Sequence, residues 1–435
     1  MIEPGWIEAA LVSSRPQAVA ALLRYFRKLD AAEEAYQEAC LRALRNWTVN
    51  GPPRDPTAWL IMVGRNAALD QIRKTSRQTA LPDEDQISDI EDVETPMAER
   101  LDDSQYRDDV LRLMFICCHP DLPATQQIPL ALRIVSGLSV KQIARAFLVS
   151  EAAMEQRITR AKAKVADAGV PFETPGPVER SERLAVVMQM IYLVFNEGYS
   201  AGPKDDARAD LADEAIRLGR LTLRMFQTEP EVMGLLALML LQHSRQPARF
   251  DSQGETILLE DQDRRLWRKA LIQEGLALID KAIRHRKTGA YLVQAAIAAL
   301  HARAPAFDQT DWAEIDALYA TLEKLQPSPV VTLNRAVAVS KTKGPEAALA
   351  MIEPLGERLA GYFYFHGAKG GLLLQLGRKR EARESFDRAI ALATTAAEAA
   401  HIRAHIDRLI AESEKQAWAC DPCGVCRGWG SLIFA

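Results

Sequence analysis

The sequence predicts an all-α protein, and three observations lead to this prediction. Apolar residues recur at helical spacing in two segments of the first half, 30–74 and 139–165. Helical apolar runs continue in the second half, at 184–195, 232–241 and 271–283. Near the end of the chain, a pattern of small and bulky residues repeats. The 435 residues are therefore expected to form small helical units followed by a larger helical region.

The segment 139–165 predicts a helix-turn-helix. Ser139 and Ser150 can each cap a helix, and both helices carry an apolar stripe. The two stripes comprise Val140, Ile143, Ala144 and Phe147, then Met154, Ile158, Ala161 and Val165. The outward positions of the second helix comprise Glu151, Ala152, Glu155, Gln156, Arg157, Thr159, Arg160, Lys162 and Lys164. Such side chains suit base edges and phosphates in a major groove, whereas the alternative is an ordinary helical hairpin with a solvated basic face.

The segment 31–47 predicts a helix with two different faces. Its buried stripe comprises Ala32, Tyr36, Ala39, Cys40, Ala43, Leu44 and Trp47. The opposite face comprises Glu34, Gln37, Glu38 and Leu41. A mixed acidic, amide and leucine face suits a protein partner.

A further helix is predicted to begin at Asp55–Pro56, because aspartate caps helices and proline fits the first turn. Its first half, 58–63, is apolar nearly all round. Polar and basic residues then share one face at Asn66, Asp70, Arg73 and Arg77. Such a stripe can meet a nucleic-acid strand.

These motifs resemble those of an extracytoplasmic-function (ECF) sigma factor of the sigma-70 family. Residues 30–43 resemble conserved region 2.2, residues 58–70 resemble regions 2.3 and 2.4, and the helix-turn-helix resembles region 4.2. The resemblance implies that the face of Glu34, Gln37, Glu38 and Leu41 binds the β′ clamp helices of core RNA polymerase, and that region 4 binds the β flap. It implies −10 promoter contacts for the loop 50–55 and for Asn66, Asp70, Arg73 and Arg77. It implies −35 contacts for Ser150, Glu151, Ala152, Glu155, Gln156, Arg157 and Arg160.

Charge is distributed unevenly along the chain. The net charge of −4 would ordinarily argue against nucleic-acid binding, but acidic residues are concentrated between Thr79 and Asp109. This segment is predicted to be a disordered or extended linker. It is either a solvated tether or, as the resemblance implies, a strand that enters the RNA channel of the polymerase. The predicted domains are region 2 at 1–78, the linker at 79–109, region 4 at 110–172, a helical extension at 173–415 and a disordered tail at 416–435.

The extension is predicted to be an α-solenoid similar to tetratricopeptide (TPR) repeats. Ala336, Ala348, Ile352 and Leu355 are followed 34 residues later by Gly370, Ala382, Phe386 and Ala389. A small β-hairpin is predicted around residues 251–255. The chain as a whole resembles the ECF subgroup with a TPR-containing C-terminal extension, and this resemblance implies that Asn196 to Tyr199 lie in the segment that joins the sigma regions to the repeats. TPR solenoids usually bind protein segments, so a regulatory or polymerase-contacting role is expected, against the alternative of a structural brace.

No catalytic constellation is recognisable, so an enzyme is not expected. Cys40, Cys117 and Cys118 are predicted core residues of a reduced, cytoplasmic protein without a membrane segment. Cys420, Cys423 and Cys426 have metal-ligand spacing, but without a nearby fourth ligand a disordered tail is favoured and no metal or cofactor is expected. The competing function is a one-component helix-turn-helix transcriptional regulator with a TPR sensor domain, which would bind its operator without polymerase.

Overall fold

The computed structural model describes residues 5–51, 53–77, 103–119, 121–147, 149–167, 177–199, 206–252, 254 and 256–393. Within these ranges the regular structure is helical and contains no strand. The predicted all-α fold class is confirmed. The predicted hairpin is reduced to a single antiparallel bridge between Phe250 and Thr256, beside which the Ile257 N–H donates to the Arg249 carbonyl at 2.7 Å.

The chain divides into two compact units. The N-terminal unit comprises residues 1–197 with 213–225, and the C-terminal unit comprises residues 198–212 with 226–435. The division falls inside the predicted joining segment, 196–199. Residues up to Glu197 belong to the N-terminal unit and bury apolar side chains such as Leu184 and Ile191. The domain boundary at residue 173 stays a prediction.

Helices of the first part of the chain are α1 (Gly5–Phe26), α2 (Leu29–Asn50), α3 (Pro56–Arg77), α4 (Asp103–Cys117), α5 (Ala124–Ala131), α6 (Val140–Ala146), α7 (Glu151–Asp167), α8 (Pro177–Tyr199) and α9 (Asp206–Met225). The first three form a bundle around Trp47, whose ring centroid lies 5.9 Å from that of Trp6 and 5.2 Å from that of Trp59. Gly64 lets α2 and α3 cross closely, since a Cβ there would lie 2.8 Å from the Ala35 carbonyl oxygen. This bundle fixes the outward face of α2.

Helices of the second part are α10 (Pro230–His243), α11 (Lys269–Ile283), α12 (Ala290–Arg303), α13 (Trp312–Leu325), α14 (Pro329–Lys343), α15 (Pro345–Ile352), α16 (Phe363–Gln375) and α17 (Lys379–Leu392). Helix α10 is apolar on all sides and nearly wholly buried. It crosses α12 closely at Gly234, where a Cβ would lie 2.5 Å from the Leu292 nitrogen. Glu231 caps α12 by accepting hydrogen bonds from the backbone N–H groups of Tyr291 and Leu292, both at 3.0 Å.

The last four helices reproduce the predicted 34-residue spacing. Helices α14 and α16 begin at Pro329 and Phe363, and α15 and α17 begin at Pro345 and Lys379. At the small-residue position of the last pair, a Cβ on Gly370 would lie 2.8 Å from the ring of Phe386. The four helices therefore repeat with the predicted period, while their assignment as TPR repeats stays a prediction.

Candidate polymerase-binding and promoter-binding surfaces

The outward face of α2 is accessible. Glu34, Gln37 and Leu41 are exposed and Glu38 is half-buried. Glu38 accepts a hydrogen bond from Arg42 at 2.9 Å, an i,i+4 ion pair on the helix surface. The structure places all four predicted residues on the side of α2 that the bundle leaves open.

Leu44 was predicted to be buried, and this prediction is wrong. Leu44 is 48% exposed and Leu41 is 53% exposed. Both positions lie one helical turn apart, so the open side of α2 carries two leucines rather than one. The buried stripe is otherwise occupied by Ala32, Tyr36 and other predicted residues, and Cys40 is half-buried.

Helix α3 begins as the sequence predicts. The Asp55 carboxylate accepts hydrogen bonds from the backbone N–H groups of Thr57 at 2.9 Å and Ala58 at 3.0 Å. Asn66 is exposed. The backbone is helical to Arg77, but the side chains of Asp70, Arg73 and Arg77 lie outside the described residues.

The helix-turn-helix consists of α6 and α7, and both predicted caps are present. The Ser139 hydroxyl and the Gln142 side chain form a reciprocal capping box, and the Ser150 hydroxyl accepts a hydrogen bond from the Ala153 N–H at 3.2 Å. Leu148 of the turn lies outside the described residues. Buried residues of α7 are Met154, Ile158 and Ala161. Ser150, Glu151, Ala152, Glu155, Gln156 and Arg160 are exposed, and Arg157 is half-buried.

The cations of α7 fall into two groups. Within the part of the chain that the structure describes, Arg157 and Arg160 form no ion pair or hydrogen bond, so their guanidinium groups remain available. Lys162 instead pairs with Asp30 at 2.7 Å and with Glu33 at 2.9 Å. Lys164 donates to the Asp121 carbonyl oxygen. The prediction that Lys162 and Lys164 also face DNA is therefore corrected.

Glu33 is the centre of a buried charge cluster that sequence reasoning missed. Its side chain is 6% exposed and contacts three cations: Arg133 at 2.9 Å, Lys162 at 2.9 Å and Arg15 at 3.4 Å. Burial alone would lower the pKa of Lys162, but hydrogen bonds from its ammonium group to Asp30 and Glu33 raise that pKa. The position of Glu33 beside the apolar stripe of α2 was the available signal, because a buried carboxylate requires partners.

Arg15 completes this cluster from α1. Its guanidinium donates to the carbonyl oxygens of Ile134 and Arg133, both at 3.1 Å, within the π-helical turn Leu132–Ser136. Burial lowers the pKa of Arg15, whereas the neighbouring Tyr36 and Glu33 side chains act in the opposite direction and raise it. Gly137 accommodates this close approach, because its φ is +79° and a Cβ there would lie 2.6 Å from Arg15 Cδ.

A second ion-pair group corrects the end of the predicted linker. Helix α4 begins at Asp103, and Asp109, the last linker residue by prediction, is 1% exposed. Asp109 pairs with Arg112 at 3.2 Å and Arg24 at 3.3 Å. The remaining linker residues, 79–102, lie outside the described residues.

Cys117 and Cys118 are buried, as predicted for core residues, and burial raises the pKa of the Cys118 thiol to about 12. In the described ranges no group of His, Cys, Asp and Glu side chains could hold a metal ion. Cys420, Cys423 and Cys426 lie outside those ranges. Among the helices that the structure describes, none is both long and apolar enough to span a membrane.

Comparisons with known proteins agree with this arrangement. Residues 11–78 match sigma-70 region 2, and residues 112–165 match sigma-70 region 4. Residues 183–283 match a family of unknown function, DUF6596. An uncharacterized protein of Rhizobium meliloti (strain 1021) is 70% identical over 414 residues, which cover 95% of this chain and 98% of the relative.

The two matched sigma regions contain the two surfaces described above. Region 2 contains α2 with its open face and α3 with Asn66, and region 4 contains the helix-turn-helix with its capped second helix, α7. These regions bind core RNA polymerase and promoter DNA and direct transcription initiation. The chain belongs to the ECF-like sigma factors of the sigma-70 family that carry a C-terminal extension.

Proposed function

We propose that α2 docks on the β′ clamp helices of core RNA polymerase through Glu34, Gln37, Glu38 and Leu41. The observation that carries this proposal is the exposure of two neighbouring leucines, Leu41 and Leu44, at 53% and 48%. Apolar side chains surrounded by acidic and amide groups are typical of a protein interface, whose centre is apolar and whose rim is polar. Leu44 is therefore added to the docking face.

Reconstituted transcription with purified core polymerase tests this proposal. We expect the full-length protein to bind core polymerase and to direct initiation at a specific promoter. Tight promoter binding without core polymerase, combined with no transcript in its presence, would instead support the one-component regulator.

Variants separate the docking face from general surface effects. Leu41→Glu is expected to weaken core binding about tenfold or more, the size of effect found at central interface residues. Glu38→Lys should also weaken it. Val12→Glu is the matched control, because Val12 is an exposed apolar residue on α1, at 42% exposure, and lies outside the proposed face. Equal losses in the Leu41 and Val12 variants would contradict the docking proposal.

For the promoter, we propose that Asn66, Asp70, Arg73 and Arg77 of α3 contact the −10 element with the loop 50–55. The −35 element is read by α7 through Ser150, Glu151, Ala152, Glu155, Gln156, Arg157 and Arg160, while region 4 also contacts the β flap. Support comes from the exposed Asn66 and from the two available guanidinium groups on α7. The neighbouring carboxylates of Glu151 and Glu155 limit phosphate contacts there and favour acceptance from a cytosine amine.

Arg157→Ala and Arg160→Ala distinguish the kinds of DNA contact. Loss of a bidentate base contact should cost about 1–3 kcal/mol and abolish preference at one −35 position, whereas loss of a phosphate contact weakens binding evenly. Lys162→Ala is the control, because Lys162 is already paired with Asp30 and Glu33. It should leave base preference unchanged. If the control alters preference and the two arginine variants do not, the recognition surface is misplaced.

We also propose that the C-terminal helical array binds a protein segment and supports the activity of the polymerase complex. The regular helix pairs of α14 to α17 support this, since such arrays commonly present extended binding surfaces. A truncation after Met225 keeps both segments of the N-terminal unit, whereas a truncation near Pro175 would remove buried residues of α8. We expect the Met225 truncation to bind core polymerase with reduced promoter output. Output equal to that of the full chain would make the array dispensable.

A further inference from the structure

Three arginines of the C-terminal unit lie close together beside buried aromatic side chains. Arg245 is 8% exposed, Arg249 is 5% exposed and Arg264 is half-buried. The Cζ atoms of Arg264 and Arg245 lie 4.7 Å and 5.7 Å from the ring centroid of Trp267. Arg249 lies 3.7 Å from the ring centroid of Tyr199. We call these three arginines with Trp267 the arginine cluster.

The arginine cluster has no carboxylate partner in the described ranges. Arg245 donates to the Gln262 side-chain oxygen at 3.2 Å. Arg249 donates to the carbonyl oxygen of Tyr199, the last residue of α8. Arg264 donates to two carbonyl oxygens at the end of α12, those of His301 and of Ala304, the latter at 2.9 Å. The neighbouring Asp263 pairs with Arg265 instead, at 2.7 Å.

Among the described residues, these contacts compensate only part of the positive charge of the cluster. Each helix carboxyl end contributes about half a negative charge, so two helix ends offset roughly one of the three positive charges. Asp308 adds a favourable field at Arg264. Burial lowers the pKa of Arg245. Tyr199 acts in the opposite direction and raises this pKa, whereas the positive charge of Arg249 lowers it further. Buried charges of this kind are normally paired, because desolvation costs several kcal/mol per ion.

Two N–H donors of the arginine cluster bear on what it can bind. Arg264 Nη2 and Trp267 Nε1 are both buried, and neither has a hydrogen-bond partner among the described residues. Trp267 is 3% exposed, so its indole N–H is not in contact with bulk solvent. A ligand that satisfies these groups must therefore be an acceptor, and the surrounding charge requires that it be an anion.

We propose that the arginine cluster binds a phosphoryl group, either as free phosphate or as part of a phosphorylated metabolite. A tetrahedral phosphate offers several acceptor oxygens for Arg264 Nη2 and Trp267 Nε1, while Arg245 adds a positive charge beside the same indole ring. Arginine is well suited to this task because its planar guanidinium binds oxyanions in a bidentate manner. The site lies within the C-terminal unit and does not depend on the proposed polymerase or promoter contacts.

Calorimetric titration of the full-length protein at constant ionic strength tests this proposal. The probes are inorganic phosphate, ribose 5-phosphate and sodium acetate. We expect saturable binding of at least one phosphate compound at a single site and weaker binding of acetate. Tighter binding of ribose 5-phosphate than of inorganic phosphate identifies a phosphorylated metabolite as the ligand class, and the reverse order identifies the free anion.

Adjacent arginines provide a matched pair of variants. Arg264→Gln should lower phosphate affinity about tenfold, the effect of losing one charge-assisted hydrogen bond. Arg265→Gln should leave the affinity unchanged, because the Arg265 side chain is 90% exposed and pairs only with Asp263. Trp267→Phe removes the unpaired indole N–H while keeping an aromatic ring, and it should weaken binding even if Arg264→Gln does not fold.

Three results would each overturn the proposal. They are no saturable binding of either phosphate compound to the wild type, acetate binding as tight as phosphate binding, or equal loss of affinity in the Arg264 and Arg265 variants. In any of these cases the arginines serve only to cap the carboxyl ends of α8 and α12.

Discussion

The two units of the molecule handle buried charge in opposite ways. In the N-terminal unit, Glu33 accepts contacts from three cations, and Asp30 adds a second carboxylate to the same cluster. In the C-terminal unit, the arginine cluster has helix ends and amide groups but no ion-paired carboxylate in the described ranges. The first cluster is satisfied by the chain itself, whereas in the second Arg264 Nη2 and Trp267 Nε1 have no hydrogen-bond partner among the described residues.

This difference separates structural charge from binding charge. A network whose members pair with one another holds two helices together and leaves no charged group for a ligand. Lys162 is an example, because it pairs with Asp30 and Glu33 and is not available to DNA. An incomplete network retains donors, as Arg264 and Trp267 show. Removing one member should therefore have different consequences in the two units.

The largest effect is expected from Glu33→Ala. Deleting the carboxylate leaves three cations close together without their shared partner, which should destabilise the N-terminal unit by about 3–5 kcal/mol. Hydrogen–deuterium exchange of peptides from α2 and α7 measures this loss locally in the full-length protein. Glu34→Ala is the control, because Glu34 is exposed on the same helix. Matching exchange rates in the two variants would show that the Glu33 contacts do not hold the unit together.

A pH-dependent effect is expected in the C-terminal unit at His301. Burial, together with the charges of Arg245 and Arg264, lowers the pKa of His301 from 6.5 to about 3. The unfolded chain therefore binds a proton that the folded chain excludes, so stability is lost as the pH falls below the unfolded pKa. Between about pH 7 and about pH 5 this contribution amounts to ~2 kcal/mol. Protection factors in α12, which correct for the intrinsic pH dependence of amide exchange, should fall accordingly.

His301→Gln isolates this contribution from that of the carboxylates. The variant should show a flatter dependence of α12 protection factors on pH than the wild type over the same range. His285→Gln is the control, because His285 is exposed just after α11. If the His301 variant and the wild type have the same pH dependence, the positive field of the arginine cluster is weaker than its geometry indicates.

Local patterns in the sequence predicted much of this fold. The caps at Ser139, Ser150 and Asp55 were recognisable because capping depends on residues within one turn of each other. The helical array was recognisable because its repeat is periodic. Leu44 was assigned to the wrong side because several of its neighbours on α2 are also apolar, and spacing alone did not define the edge of the buried stripe.

The buried charge clusters could not be predicted in the same way. Glu33 meets Arg133 and Lys162 from distant parts of the sequence, and no local spacing connects them. The arginine cluster likewise gathers residues from several turns and helix ends. Such clusters depend on the packing of whole helices, so their partners appear only in three dimensions.

A third charge cluster, intermediate in burial, separates the effect of pairing from the effect of desolvation. Asp316 of α13 is hydrogen-bonded by Arg335 at 2.7 Å and by Lys343 at 2.8 Å, both from α14. Burial would raise the pKa of Asp316, but these two hydrogen bonds lower it. The two cations differ in exposure, with Arg335 at 24% and Lys343 at 57% of the side chain.

The smallest effect is expected from Lys343→Met, which should cost no more than ~1 kcal/mol because an exposed ion pair gains little over hydration. Arg335→Met should cost about 2 kcal/mol, since it removes charge-assisted hydrogen bonds from a more buried site and leaves Asp316 with one partner. Exchange of the α13 and α14 peptides measures both. Glu384→Gln is the control, because its contact with Arg380 is 3.9 Å long and both side chains are exposed. If Lys343→Met and Arg335→Met lower the free energy of unfolding equally, then pairing, and not burial, determines how much these ion pairs stabilise the fold. The difference between the Glu33 cluster and the arginine cluster would then need a different physical explanation.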